Sequence, residues 1–81
     1  MTLNSRVPLA MLREGERGRV VDFVGGRGVV AKLLALGIVP GKVVRVLGNR
    51  GGAVLIAVNG SKFVVGRGLA MKVIVDVEQK D

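Results

Sequence analysis

The stretch Lys32-Leu-Leu-Ala-Leu-Gly-Ile-Val-Pro-Gly-Lys-Val-Val-Arg-Val46 most constrains what this chain can fold into, because it spells a short helix, an abrupt stop, a tight turn and the start of a strand. Leu33, Leu34, Ala35 and Leu36 are strong helix formers. Gly37 comes next and supplies the left-handed cap that only glycine adopts without strain, so the helix ends there. Replacing it by valine is expected to destabilise the fold by about 1 kcal/mol or more. Pro40 presets its own backbone angle and Gly41 can take the positive φ of a type II turn, so the chain reverses. Val44 and Val46 then open a strand of period two. Leu33, Leu36, Gly37, Pro40 and Gly41 are accordingly structural residues.

The same logic organises the rest. Residues 2–17 carry no regular period, but their apolar patch at 7–12 places Leu9 and Leu12 over one end of a core. Pro8 favours an extended path there and Gly15 a turn. Residues 18–24 form a first strand through the β-branched Val20 and Val21, and Gly25-Gly26-Arg27-Gly28 is a loop. A helix follows over 29–36, with Val29, Leu33 and Leu36 on one face and Lys32 elsewhere. The second strand covers 42–47, residues 48–52 are a glycine-rich hairpin loop, and the third strand covers 53–58 with Val54, Ile56 and Val58 on one face. Asn59-Gly60 is the favoured two-residue hairpin turn, which makes Gly60 a further structural residue and pairs a fourth strand, 61–65, antiparallel with the third. Residues 66–71 make one helical turn, and the fifth strand, 73–77, alternates Val73, Val75 and Val77 inward against Ile74 and Asp76. Five short strands with regular turn signals describe a small, all-β, partly open antiparallel barrel with one short helix between the first two strands. A parallel α/β unit is the alternative that the Asn-Gly hairpin argues against.

Eighty-one residues are enough for one domain. An apolar content of 49% lets that domain build a core without staples, and the absence of cysteine fits a reducing compartment. The N-terminus has no basic segment followed by a long apolar run, so no signal peptide is read. The longest uncharged run, residues 51–61, falls short of the roughly 18–20 apolar residues of a membrane span. A soluble, cytoplasmic protein is expected.

The net charge is +7, and its placement matters more than its size. Between Phe23 and Val75 stand eight basic residues, Arg27, Lys32, Lys42, Arg45, Arg50, Lys62, Arg67 and Lys72, and no acidic one. Such a field either serves solubility or favours an anionic partner: nucleic acid, an acidic protein face or the inner leaflet of a membrane.

Chemistry-bearing motifs are few. Gly26-Arg-Gly28-Val-Val-Ala31 matches a dinucleotide fingerprint, but a dinucleotide fold needs more parallel strands and helices than this length holds. Gly37-Ile-Val-Pro-Gly41-Lys42 is one residue short of a phosphate loop, and Val43 stands where the magnesium-binding hydroxyl belongs. Histidine and cysteine are absent, and the carboxylate pairs Glu14/Glu16 and Asp76/Glu78 lack a third ligand, so no metal site and no cofactor are read. Thr2, Ser5 and Ser61 have no histidine to act as base, so no enzyme is read. Nucleic-acid binding would run through the phosphate backbone, using Arg45, Arg50, Lys62 and Arg67. With Phe23 and Phe63 the only rings, both on expected strands, stacking platforms are scarce. No signal speaks for or against self-association.

Taken in order, Leu12-x-x-Gly15, the first strand and glycine loop, Lys32 to Gly41, the Val44-x-Val46 strand, Val58-Asn-Gly60, Phe63-x-Val65, Ala70 and Val73-x-Val75 resemble the FeoA family of ferrous iron transport accessory proteins. The resemblance covers residues 7–77, and Leu36-Gly-x-x-Pro-Gly41 is its most specific part. It implies an SH3-like barrel acting beside FeoB, the membrane iron transporter with a cytosolic GTP-binding domain. The same barrel is similar to the C-terminal domain of iron-dependent repressors, so a stand-alone relative of that domain is a further reading. Many relatives carry prolines in the hairpin where this chain has Gly51-Gly52-Ala53. Arg45, Arg50, Lys62 and Arg67 are the expected partner contacts.

Overall fold

The computed structural model describes residues 6–78, so Thr2 and Ser5 lie outside the described residues. The elements are β1 (Arg6–Pro8), a 3-10 turn (Leu9–Met11), β2 (Arg17–Phe23), α1 (Arg27–Ala35), β3 (Val43–Arg50), β4 (Ala53–Val58), β5 (Ser61–Gly66), α2 (Arg67–Ala70) and β6 (Val73–Glu78). They form one six-stranded sheet in the order β1-β6-β2-β3-β4-β5, with every pairing antiparallel. Inward residues from all six strands pack into or against one apolar cluster, so the sheet curls round its own core while β1 and β5 stay unpaired with each other. The architecture is the expected small all-β barrel, with one strand more than the five expected. That strand, β1, comes from a stretch read as irregular; three residues are too few to show a period, and Arg6–Pro8 becomes a strand by pairing with β6.

The segment that constrains the fold is built as its chemistry demands. Helix α1 closes with the Ile38 amide donating to the Leu33 carbonyl at 3.0 Å and the Gly37 amide to that of Leu34 at 2.9 Å, with Gly37 at φ 84°. This double closure also brings buried Ile38 against buried Leu33. Gly41, at φ 94°, lets the Lys42 amide reach the Val39 carbonyl at 3.0 Å, which is the expected turn. Its own amide donates to Val20, stitching the turn to β2.

Three local expectations need correction. Leu36 does not share the buried face of α1: it is the C-cap residue and 37% exposed, because the helix has already ended at Ala35. Arg27 and Gly28 belong to the helix and not to the preceding loop, with Gly26 as N-cap. Residues 48–50 continue β3, so the hairpin turn shrinks to Gly51-Gly52. The cause lies in the pairing of β3 with β4, which slips by one residue between Val46 and Gly48. Such a bulge is invisible to a strict alternation of two. In an unbulged strand Arg50 would share the inward side with Val44 and Val46. With Leu47 as the extra residue, Asn49 instead lines up with inward Val54, and Arg50 with outward Ala53.

Close packing at the base of β2 depends on Gly18. A Cβ there would stand 2.6 Å from Val75 Cγ2 and 2.8 Å from its Cβ, so no larger residue fits without moving a rigid β-branched neighbour.

Candidate functional site

The bulge decides what the outside of the sheet presents. Val44, Val46, Val54, Ile56, Val58 and Val65 point into the core, which leaves Arg45, Arg50, Leu55, Lys62 and Val64 on the outer face of β3, β4 and β5. Cross-strand register sorts them. Arg45 stands opposite Ala57, and Ala57 opposite Lys62, so these two cations share one row. Arg17 of β2 stands opposite Arg45 and lengthens that row. Like charges facing each other across a ladder cost stability. Glu78 flanks Arg17 on the other side, yet its carboxylate accepts from Arg19 Nη2 at 3.0 Å. Among the described residues, Arg17, Arg45 and Lys62 take part in no ion pair or side-chain hydrogen bond.

The other end of the face is also cationic. Arg50 stands opposite Ala53, Ala53 opposite Gly66, and Arg67 follows directly. Arg67 is partly engaged: its Nη1 donates to Asn49 Oδ1 at 2.8 Å. The amide nitrogen of Asn49 in turn donates to the carbonyls of Ala10 and Leu12 at 2.8 and 2.7 Å, fastening the 3-10 turn to β3. Between the two cationic ends lies an apolar strip. Leu55 and Val64 are 38% and 62% exposed, and with Gly48, Asn49, Arg50 and Ala53 they line a shallow groove of about 240 Å³. A larger apolar groove, about 470 Å³, lies against α1 between Gly26, Val30 and Leu34, with Arg27 as its one charged lining residue.

All four expected contact residues, Arg45, Arg50, Lys62 and Arg67, are exposed; Arg45 and Lys62 share one end of the outer face and Arg50 stands at the other, while the Arg67 side chain turns to Asn49 beside the 3-10 turn. Arg17, Leu55, Val64 and Asn49 were not among them. Arg17 joins the row only through a pairing of residues far apart in sequence, and Asn49 was assigned to a loop. The structural residues sit where their chemistry places them: Leu33 in the core, Gly37 and Gly41 at positive φ, and Gly60 at φ 79° beside Asn59 at φ 54° in the hairpin turn.

No group of three metal-ligating side chains gathers among the described residues. Glu16 Oε1 accepts the Arg13 amide at 2.6 Å, and Asp76 Oδ1 lies 3.7 Å from Arg6 Nε, buried and without a hydrogen bond of its own. The fingerprint glycines do open α1, but β3 runs antiparallel to β2, and a dinucleotide unit needs that strand parallel. Phe23 and Phe63 are half-buried against the core and offer no stacking platform.

These features define a class: a miniature antiparallel barrel with an apolar interior and an outer face bounded by cations. A family model, the FeoA domain, matches residues 7–77, and the chain belongs to the FeoA family. It is 41% identical over 69 residues to a Methanocaldococcus jannaschii protein named "Putative Fe(2+) transport protein A", covering 85% of this chain and 84% of that one. The crystal structure of an iron uptake regulatory protein, FeoA, superposes with a TM-score of 0.88 at 35% identity, over 91% of this chain and all of the other. A manganese-dependent transcriptional repressor superposes with a TM-score of 0.84 at 20% identity, over 96% of this chain and 45% of the repressor, a likeness of fold alone. The fold is accordingly SH3-like, shared with both.

Proposed function

We propose that this protein is a non-enzymatic accessory protein of ferrous iron uptake that works in the cytoplasm and docks on the cytosolic GTP-binding part of an FeoB-type membrane transporter. Family membership supports the iron-transport setting. The observation that carries the docking is the row Arg17, Arg45 and Lys62, held side by side without a counter-charge among the described residues and bordered by exposed Leu55 and Val64. A fold does not accumulate facing cations for its own stability. Next to an apolar strip they suit an acidic protein face, where charge steers encounter and burial of the strip holds the complex. The same cations suit the anionic leaflet beside the transporter. Among the described residues no helix is long and apolar enough to cross a membrane, so attachment would run through such contacts.

Calorimetric titration with the purified cytosolic GTP-binding part of an FeoB-type transporter tests this reading. Binding that weakens as salt rises is expected. Absence of binding at low salt would overturn it. A parallel titration with mixed RNA and DNA at physiological salt addresses the phosphate-backbone alternative, which submicromolar, steeply salt-dependent binding would establish instead.

A further inference from the structure

Strand β5 ends the sheet, and its backbone alternation is fixed from the turn that begins it. A two-residue turn with both central residues at positive φ closes on a hydrogen-bonded pair, here Val58 and Ser61. Antiparallel alternation then makes Ile56/Phe63 and Val54/Val65 the bonded pairs, and turns the amides and carbonyls of Lys62, Val64 and Gly66 away from β4. The Arg67 amide, one step beyond the Ala53/Gly66 pair, donates to the Gly52 carbonyl at 2.8 Å, as that alternation requires. Lys62, Val64 and Gly66 are all exposed, and among the described residues the outward amides of all three and the carbonyls of Lys62 and Val64 have no hydrogen-bond partner, while the Gly66 carbonyl, at the N-cap of α2, accepts that helix's first bond.

The two edges of the sheet differ. β1 is three residues long and carries Arg6 and Pro8, the usual means of discouraging strand addition. β5 is six residues long, with no proline, no register shift against β4 and a single charge at Lys62. Its neighbourhood selects what pairs with it. A second copy added antiparallel about Val64 would bring Lys62 opposite Gly66 of that copy, into the row that carries its Arg50, cation toward cation. An acidic strand would instead find Lys62 near one end and Arg50, in the row of Gly66, toward the other, with exposed Val64 between them.

We infer that the β5 edge accepts an extended, acidic segment of a protein partner as a further strand, hydrogen-bonded to Lys62, Val64 and Gly66. This rests on the docking reading above and names where and how the contact is made. An apolar residue of the segment lies beside Val64, and carboxylates lie beside Lys62 and in the row of Arg50 and Gly66.

Amide hydrogen exchange on the full ¹⁵N-labelled chain tests it, with two probes: the transporter's cytosolic GTP-binding part, and a synthetic hexapeptide Glu-Thr-Val-Thr-Glu-Thr, whose alternate residues set Glu, Val and Glu on the face of Lys62, Val64 and Gly66. At saturation each probe is expected to slow the Lys62, Val64 and Gly66 amides about tenfold or more, while Phe63 and Val65, already bonded to β4, stay as they were. Val64→Pro, which removes an outward amide, is expected to abolish the effect, and Val64→Thr to preserve it. Protection by the peptide but not by the transporter part would uphold the edge site and remove the transporter as its partner. Binding of the transporter part with protection elsewhere would overturn the edge site and leave the docking reading standing. Protection by neither probe, or unaltered binding by Val64→Pro, overturns the inference.

Discussion

Leu33 and Leu36 stand three residues apart at the end of one helix and meet opposite fates. Leu33 is fully buried beneath the closure made by Gly37 and Ile38, whereas Leu36 is the exposed C-cap. Leu33→Ala should therefore cost about 2–5 kcal/mol in a denaturant titration. Leu36→Ala should cost less than about 1 kcal/mol, as at most surface positions. Gly37→Val meets both a φ of 84° and the Asn59 side-chain nitrogen 3.4 Å from the new Cβ, so a loss of at least about 1 kcal/mol stands. Wild-type melting of that variant would show that the helix does not close there. Asn49→Ala should cost about 1–3 kcal/mol, because two part-buried carbonyls lose their donor. Asn49→Asp should melt lower still, since it turns an oxygen toward those same two carbonyls.

At the scale of elements, the alternation derived for β5 separates adjacent positions. Phe63→Pro removes an amide that bonds β4 and should lower stability by about 3 kcal/mol, whereas Val64→Pro removes one that faces outward and should melt close to wild type. Equal melting of the two variants would place the alternation one residue out. Elements defined by short-range chemistry were legible in the chain. β4 has its expected bounds, 53–58, because Val54, Ile56 and Val58 alternate without interruption between two turn signals. Asn59-Gly60 and Gly37 announce their own backbone angles. β1 and the end of β3 were not legible, for one reason: each exists through its partner strand. Arg6–Pro8 is extended because β6 lies beside it, and residues 48–50 stay in the ladder because Leu47 bulges out of register.

For the whole molecule, the sequence shows how many cations the middle of the chain carries, and only the fold shows how they group. Arg45 and Arg50 are five residues apart and lie at opposite ends of one face; Arg17 and Lys62 are distant in sequence and share a row. On the proposed docking reading, that grouping makes the exterior the working part of this FeoA-family barrel. The double variant Arg45→Glu/Arg50→Glu reverses both ends while leaving the inward residues untouched. Its affinity for the cytosolic GTP-binding part of an FeoB-type transporter, measured by calorimetry at low salt on protein with an unchanged melting curve, is the most direct test. A loss of about tenfold or more is predicted; an affinity equal to that of the wild type would contradict the account.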